Sequence, residues 1–329
     1  YTYDTERVSV LRSWAALHTR DYSAVNVWST FQPTSQVING AQATVTGDEV
    51  LHIDATIQDN GQVHHFSPAK QAAQAWLKQS GHYLAVGDTN HATATIHHIA
   101  QLSQSGSSWV IESDNYWDPL AQPLASDHHT LLKQTQAGTK TTDILQQAIP
   151  ASSSQQQAIP AVSSQRQAAI NYADRYALSY NPNYTSYASE DADCANFVSQ
   201  ALYDGSGANL NGDSVWYADS YAFINAIGLF DYMEPSPYSA WTYGEDLDYN
   251  TAAYDDSWYE YPGDLIFYDW GNVFGFGPAN GVQNHVAISV TQDANGYTYE
   301  DAHTTDLYHY YWDLGGGTQS GYWFMTMSY

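Results

Sequence analysis

A single cysteine, Cys194, in a chain of 329 residues removes two ways of holding a fold together: an intramolecular disulfide framework and a zinc site of clustered thiolates. The fold must rest on buried apolar surface, and the length suits about two domains, each with its own core. The same cysteine lies in the most strongly patterned stretch, residues 191–205, DADCANFVSQALYDG. Cys194, Phe197, Val198, Ala201 and Leu202 recur at helical spacing, while Asn196, Ser199, Gln200 and Tyr203 fall on the other side, which predicts an amphipathic helix. Asp193 is placed to cap its first turn and Gly205 to end it. A thiol in a first turn sits near unpaired N–H groups and the positive end of the helix dipole, which favour thiolate. Glu190, Asp191 and Asp193 oppose that, so activation calls for a cationic partner such as an imidazolium.

A lone cysteine is often no more than a small buried apolar group. Here a second signal stands 91 residues downstream: residues 261–268 read as a turn and strand, and residues 284–290 as a strand opening on His285. Four pieces carry a resemblance: 168–184 (AAINYADRYALSYNPNY), 193–203 (DCANFVSQALY), GDLIF at 263–267 with HVA at 285–287, and Ala302-His303-Thr304. Together they resemble the putative amidase domain family, related to the NlpC-type and CHAP peptidoglycan hydrolases, over about the C-terminal half. The resemblance implies a papain-like α+β fold for that half, with Cys194 as nucleophile, His285 as base and a polar third residue on the next strand. His303 fits that place through a hairpin turned at 293–296, and Asp301, two residues away on the same strand face, is the rival. In peptidoglycan-cleaving relatives an Asp at the position of Asp193 is implied to receive a free substrate amine; capping is its alternative role. Ser220-Tyr221-Ala222-Phe223 stands where the family pattern has Ser-x-x-Trp.

Charge narrows the partners. Nine Lys and Arg face 35 Asp and Glu, a net charge of −26 with neutral histidines. From Tyr176 onward there are 21 acids and no Lys or Arg. Such a field repels nucleic acid and anionic lipid and would attract cationic groups such as peptide amines; solubility in an acidic or salty habitat is the simpler account of it. No apolar run approaches the roughly 18 residues of a membrane span, and the chain opens without a basic, apolar leader, so no membrane insertion is expected and the chain is read as a processed or trimmed form.

Residues 1–128 read as an accessory α+β domain: helices over 5–18 and 69–79, strands over 41–57, 91–102 and 108–114, arranged as a cystatin-like or NTF-type cone. Ten of the thirteen histidines lie before Thr130. His97 and His98 would point to opposite faces of a strand and cannot share a metal, so no metal site is assigned. Residues 129–165 turn to Gln, Ala, Ser and Pro, with 146–155 repeated almost unchanged as 156–165, which reads as an extended linker. The amidase-like domain then spans 166–329 and opens on a helix over 167–178. An aromatic, acidic region at 216–261 suits either a groove for sugar or peptide or ordinary packing. Residues 246–257 begin like a calcium loop, but Thr251 and Ser257 stand where glycine and glutamate are needed.

The sequence thus reads as a secreted cysteine hydrolase of a Gram-positive bacterium, needing no cofactor, that cleaves amide bonds in cell-wall peptides through an acyl-enzyme. Two rivals share these residues: an acyltransferase that passes the acyl group to an amine, and a non-catalytic cell-surface binding protein.

Overall fold

Long runs of β-branched and aromatic residues broken by short glycine turns build most of the chain. The computed structural model describes residues 11–12, 14–16, 18–61, 68–116, 163–188, 192–205, 213–234, 239–243, 260–270, 280–314 and 321–327. Strands β1 (Tyr22–Asn39) and β2 (Gln42–Ile57) form a long hairpin turned at Gly40, whose φ of +63° suits glycine. Helix α1 (Pro68–Ser80) and the short β3 (Tyr83–Leu84) lead into β4 (Thr89–Ser105) and β5 (Ser108–Tyr116). Beyond them lie α2 (Ser164–Tyr176), α3 (Cys194–Gln200), α4 (Tyr221–Ile224) and α5 (Ala226–Met233). Strands β6 (Ser239–Tyr243), β7 (Leu265–Asp269), β8 (His285–Asp293), β9 (Thr298–Ala302), β10 (Asp306–Tyr311) and β11 (Gly321–Met327) complete the fold.

All eleven strands belong to one sheet, in the order β1-β2-β4-β10-β9-β8-β7-β11-β6, with β5 added to β4 and β3 to β8. Among the described residues only β3 pairs in parallel; every other pairing is antiparallel. The expected α+β class, with a papain-like C-terminal half and a cystatin-like or NTF-type cone before it, is therefore wrong: the chain is mostly antiparallel β. Five strands are missing from the sequence reading, β1, β3, β6, β10 and β11, and three of them account for this. β1 lies at the sheet edge, where Pro33 costs no ladder bond, and its register shifts between Pro33 and Ser35. β10 and β11 are rich in Tyr, Trp and Phe, which favour strands. β10 then pairs with β4, setting Thr93, Ala94 and Thr95 opposite Tyr308, Leu307 and Asp306. The sheet thus joins chain from both sides of the expected linker. That linker, except for residues 163–165, lies outside the described residues, as do 246–257 and the histidine pairs at 64–65 and 128–129.

Each face of the sheet buries its own core. On one face Leu265, Phe267, Val286, Ile288 and Val290 meet α2, α3 and α5, including Cys194, Phe197 and Leu229. On the other, Ile266, Tyr268, Ala287 and Tyr299 pack with Trp14, Tyr22, Ile53, Ala94, Tyr311 and Trp312. The alternation is that of paired strands, in which directly opposite residues share a face.

Candidate active site

Helix α3 is buried on every side, not amphipathic: Asn196, Ser199 and Gln200 are as enclosed as Phe197 and Val198. Its polar groups are paired instead of solvated. Asn196 Nδ2 donates to the Thr185 carbonyl and to Asp193 Oδ1, both at 2.9 Å; Tyr172 Oη donates to Gln200 Oε1 at 2.8 Å; Trp216 Nε1 donates to Ser199 Oγ at 3.1 Å. The helix runs on into a π-helical turn at Ala201–Gly205. A helix so held fixes its first residue, Cys194, against the strands.

The Cys194 thiol faces β8 and the turn after β9. Burial pushes its pKa up, and this outweighs the backbone of Val286, the Thr304 side chain and the backbone of Ala195, all of which favour thiolate. The resting group is a neutral thiol, contrary to the simple helix-dipole expectation, and needs a base to become a nucleophile. Thr304 adopts a φ of +90°, which a β-branched residue avoids, so the turn that touches the sulfur is strained.

His285 opens β8 opposite Tyr268, and both lie on the sheet face away from the thiol. Its ring stacks on Trp270 at 4.6 Å and 19°. Burial alone brings its pKa down to about 3, so the imidazole is neutral. Among the described residues no hydrogen bond joins it to Cys194 or to His303. The peptide that links His285 to Val286 is nonetheless the one that reaches the sulfur.

His303 and Asp193 do come together. His303 Nδ1 lies 2.7 Å from Asp193 Oδ2, and Nε2 lies 2.8 Å from the Tyr176 carbonyl. Both partners are acceptors, so the two bonds form together only when both ring nitrogens carry protons. Phe197 stacks on the ring at 4.2 Å and Tyr180 tilts against it at 4.4 Å. Asp193 holds the N-cap position of α3 but makes no capping bond. Its Oδ1 instead accepts from the Tyr187 N–H at 2.7 Å and from Asn196, which leaves the fully buried carboxylate enclosed by protein groups. Asp301 lies on the thiol side of the sheet, opposite Ile288, but faces α2: its Oδ1 accepts from the His309 N–H at 2.7 Å.

The GDLIF segment serves structure. Gly263 has a φ of +94°, and a Cβ there would lie 2.5 Å from Arg166 Cγ. Arg166 Nη1 donates to Asp264 Oδ1 at 2.6 Å and to the Pro262 carbonyl at 2.8 Å, tying α2 to the start of β7. The Met327 N–H adds a bond to the same carboxylate oxygen at 2.9 Å. Ser220 holds the N-cap position of α4 without a capping bond, and Phe223 is buried against Trp216 at 5.6 Å, so the departure from Ser-x-x-Trp falls in the core. Of the aromatic region, Trp216 is buried and Tyr217 exposed, while 244–259 lie outside the described residues. Sequence reasoning gave Thr304 no role of its own, although it falls within the Ala302-His303-Thr304 piece, and it missed the Tyr176 carbonyl and His309, a backbone oxygen and a histidine outside every motif.

Comparison with known proteins agrees on the C-terminal region. Residues 163–326 match the family model described as putative amidase domain, which makes this region amidase-like. A 139-residue stretch, 42% of this chain, is 34% identical to the uncharacterized protein YjcM of Bacillus subtilis (strain 168). The match spans 30% of that protein's own length. No solved structure matches the chain at a significant level.

Proposed function

We propose that the amidase-like region hydrolyses amide bonds with Cys194 as the nucleophile, acting outside the cell on cell-wall peptides. One observation carries the reading: the chain's single thiol stands at the start of a rigidly held helix, against the strand that opens on His285 and beside the turn that carries His303 and Thr304. Cys194 Sγ attacks the amide carbon, the amine leaves with a proton, and water then cleaves the thioester. The Cys194 backbone N–H, at the helix start, is placed to stabilise the oxyanion. His285 supplies the lone pair that takes the thiol proton, since burial keeps its ring neutral. Its ring stacks on Trp270 on the far face of the sheet, so a rotamer change alone does not bring it to the sulfur: the first residue of β8 must leave the end of the strand and turn over when substrate enters. Asp193 and His303 form a fixed polar pair beside the helix start that braces the site.

The test is turnover on purified cell wall and on peptide amides, with mass analysis of the fragments. Cys194→Ala should lower turnover at least about 10⁴-fold; residual activity within tenfold of the parent sinks the assignment. His285→Ala should lose about 10²–10⁴-fold. If His285→Ala is nearly silent and His303→Ala is not, the base is His303, released from Tyr176. Added amine acceptors that turn up in the products would make the chain a transferase.

A further inference from the structure

A second group of polar side chains, one of them fully buried, lies on the thiol side of the sheet, between α2 and the hairpin β9–β10, and the Cys194 chemistry does not use it. Asp174 comes from α2, Asp301 from β9 and His309 from β10; one carboxylate oxygen from each acid and one imidazole nitrogen lie within 4.8 Å of one another. His309 Nε2 is 3.0 Å from Asp174 Oδ1. His82, just after α1, points its Nδ1 at Asp174 Oδ2 from 3.7 Å. Tyr308 stacks flat on His309 at 4.0 Å and 11°, and His309 itself takes a left-handed φ of +48°, so the imidazole is held in one orientation.

The group brings two carboxylates together and leaves one of their oxygens orphaned. Asp301 is fully buried; its Oδ1 is used by the His309 N–H, while its Oδ2 has no hydrogen-bond partner. A buried carboxylate oxygen left unpaired is costly. Arg175, the last basic residue, adjoins Asp174 in the chain, but α2 carries neighbouring side chains about 100° apart.

We propose that Asp174, Asp301 and His309 bind a divalent transition-metal cation of the zinc or manganese type, with His82 in reach as a fourth donor. Two carboxylates and one imidazole are borderline-to-hard donors that suit such ions. Ligands about 2.0–2.1 Å from a tetrahedral ion lie roughly 3.3 Å apart, so the three atoms need draw in by only about 1 Å or less. Asp174 and His309 are partly exposed, which leaves an entry path. Asp174 precedes Tyr176 by two residues and Asp301 precedes His303 by two, so the ion would fasten the two chain segments that grip the His303 ring. The proposal does not depend on which group acts as base for Cys194.

The full chain, stripped with chelator, is dialysed against Zn²⁺ and separately against Mn²⁺, and bound metal is measured by elemental analysis beside the thermal midpoint. One equivalent of at least one metal should bind saturably and raise the midpoint. Asp301→Asn, which keeps an oxygen for the His309 N–H, and His309→Gln should each weaken that binding at least about tenfold, in line with the loss of a ligand. His98→Gln, which alters a histidine paired with Glu49 and Asp114 on β4, should leave it unchanged. Should Asp301→Asn fail to fold, His309→Gln alone decides. No saturable binding of either metal, or full binding in both ligand variants, overturns the site.

Discussion

The two faces of the sheet bury acidic side chains in different ways. On the thiol side, Asp264 is met by the Arg166 guanidinium at 2.6 Å, a permanent cation in a fixed fork. On the opposite side the acids include Asp293, Glu300 and Asp313, set among Tyr and Trp rings. There the partner of Asp313 is His18, borrowed from the other end of the chain at 2.8 Å. Glu300 is met by the Tyr268 hydroxyl, and burial lifts its pKa to about 8. Burial likewise raises Asp293 to about 7, against hydrogen bonds from Tyr297, Tyr299 and Asn295. The contrast follows from the sequence: with no Lys or Arg after Arg175, acids in the last strands must find a histidine, share a hydroxyl or keep a proton. The difference is in the partner: Asp264 has a permanent cation that opposes the rise burial imposes on its pKa, whereas Asp293 and Glu300 have only hydrogen-bond donors and titrate near neutrality.

The largest effect should come from breaking the permanent pair. Arg166→Met leaves Asp264 buried without its cation and strips the Pro262 carbonyl of a donor, which should cost about 3–5 kcal/mol in urea unfolding. Arg166→Lys keeps charge but loses the fork and should cost less. A loss for Arg166→Met below about 1 kcal/mol would mean that Asp264 is protonated in the native state, and the two faces would no longer differ.

Replacing the borrowed cation tests the other face. Burial opposes charge on His18, but Asp313 and Asp21 overcome it and hold the pKa up at about 10. A raised histidine pKa stabilises fully below its unfolded value of about 6.5, and the contribution is lost as pH rises through the folded value. Asp313 contributes in the opposite sense: His18 holds its pKa down against burial, so its share is lost in acid. His18→Gln should therefore destabilise by about 2–3 kcal/mol at pH 6 and by much less near pH 10, in urea unfolding at both values. A gap that does not change with pH would show that His18 acts by packing against Trp14, 4.9 Å away, and not by charge.

The part of this contrast that was legible in the sequence is the part carried by pattern. The helix at Cys194, the hairpin of β8 and β9, and the strands β2, β4 and β5 follow from helical spacing, a DANG turn and alternation. What failed was any inference that needed distant chain segments to meet. β10 presents Tyr308, His309 and Tyr310, but nothing in those residues says that Thr93 to Thr95 will be their neighbours. GDLIF read as a strand signal, yet its Gly-Asp pair exists to receive Arg166, 98 residues from Asp264. Trp14 Nε1 donates to Asp313 across 299 residues. The site was legible in its residue types, and its geometry was not: Cys194, His285, His303 and Asp193 were all singled out, but which strand face each histidine takes depends on register. A shift of one residue would exchange the faces.

The smallest effect sharpens the comparison most, because it should stabilise. Asp293 is fully buried beside Tyr299, whose hydroxyl donates to Oδ2 at 3.0 Å, while the N–H groups of Asn295 and Tyr297 donate to Oδ1, each at 2.9 Å. Asp21 adds a like charge nearby. A carboxyl whose folded pKa is about 7 binds more protons in the native state than in the unfolded one from about pH 4 upward. Its contribution is therefore present in acid and lost as pH rises through 7. The side-chain amide introduced by Asp293→Asn would keep a carbonyl oxygen for the two N–H groups and turn its NH₂ toward the Tyr299 hydroxyl, which can accept. With no charge to bury, Asp293→Asn should match the parent at pH 4 and exceed it by on the order of 1 kcal/mol at pH 8.5, since the amide does not recover the whole of the carboxylate's hydrogen bonding. The check is urea unfolding of both proteins at the two pH values. If Asp293→Asn is the less stable protein at pH 8.5, the hydrogen bonds to the carboxylate outweigh its burial, and the lack of a cation on this face does not decide how its acids are held.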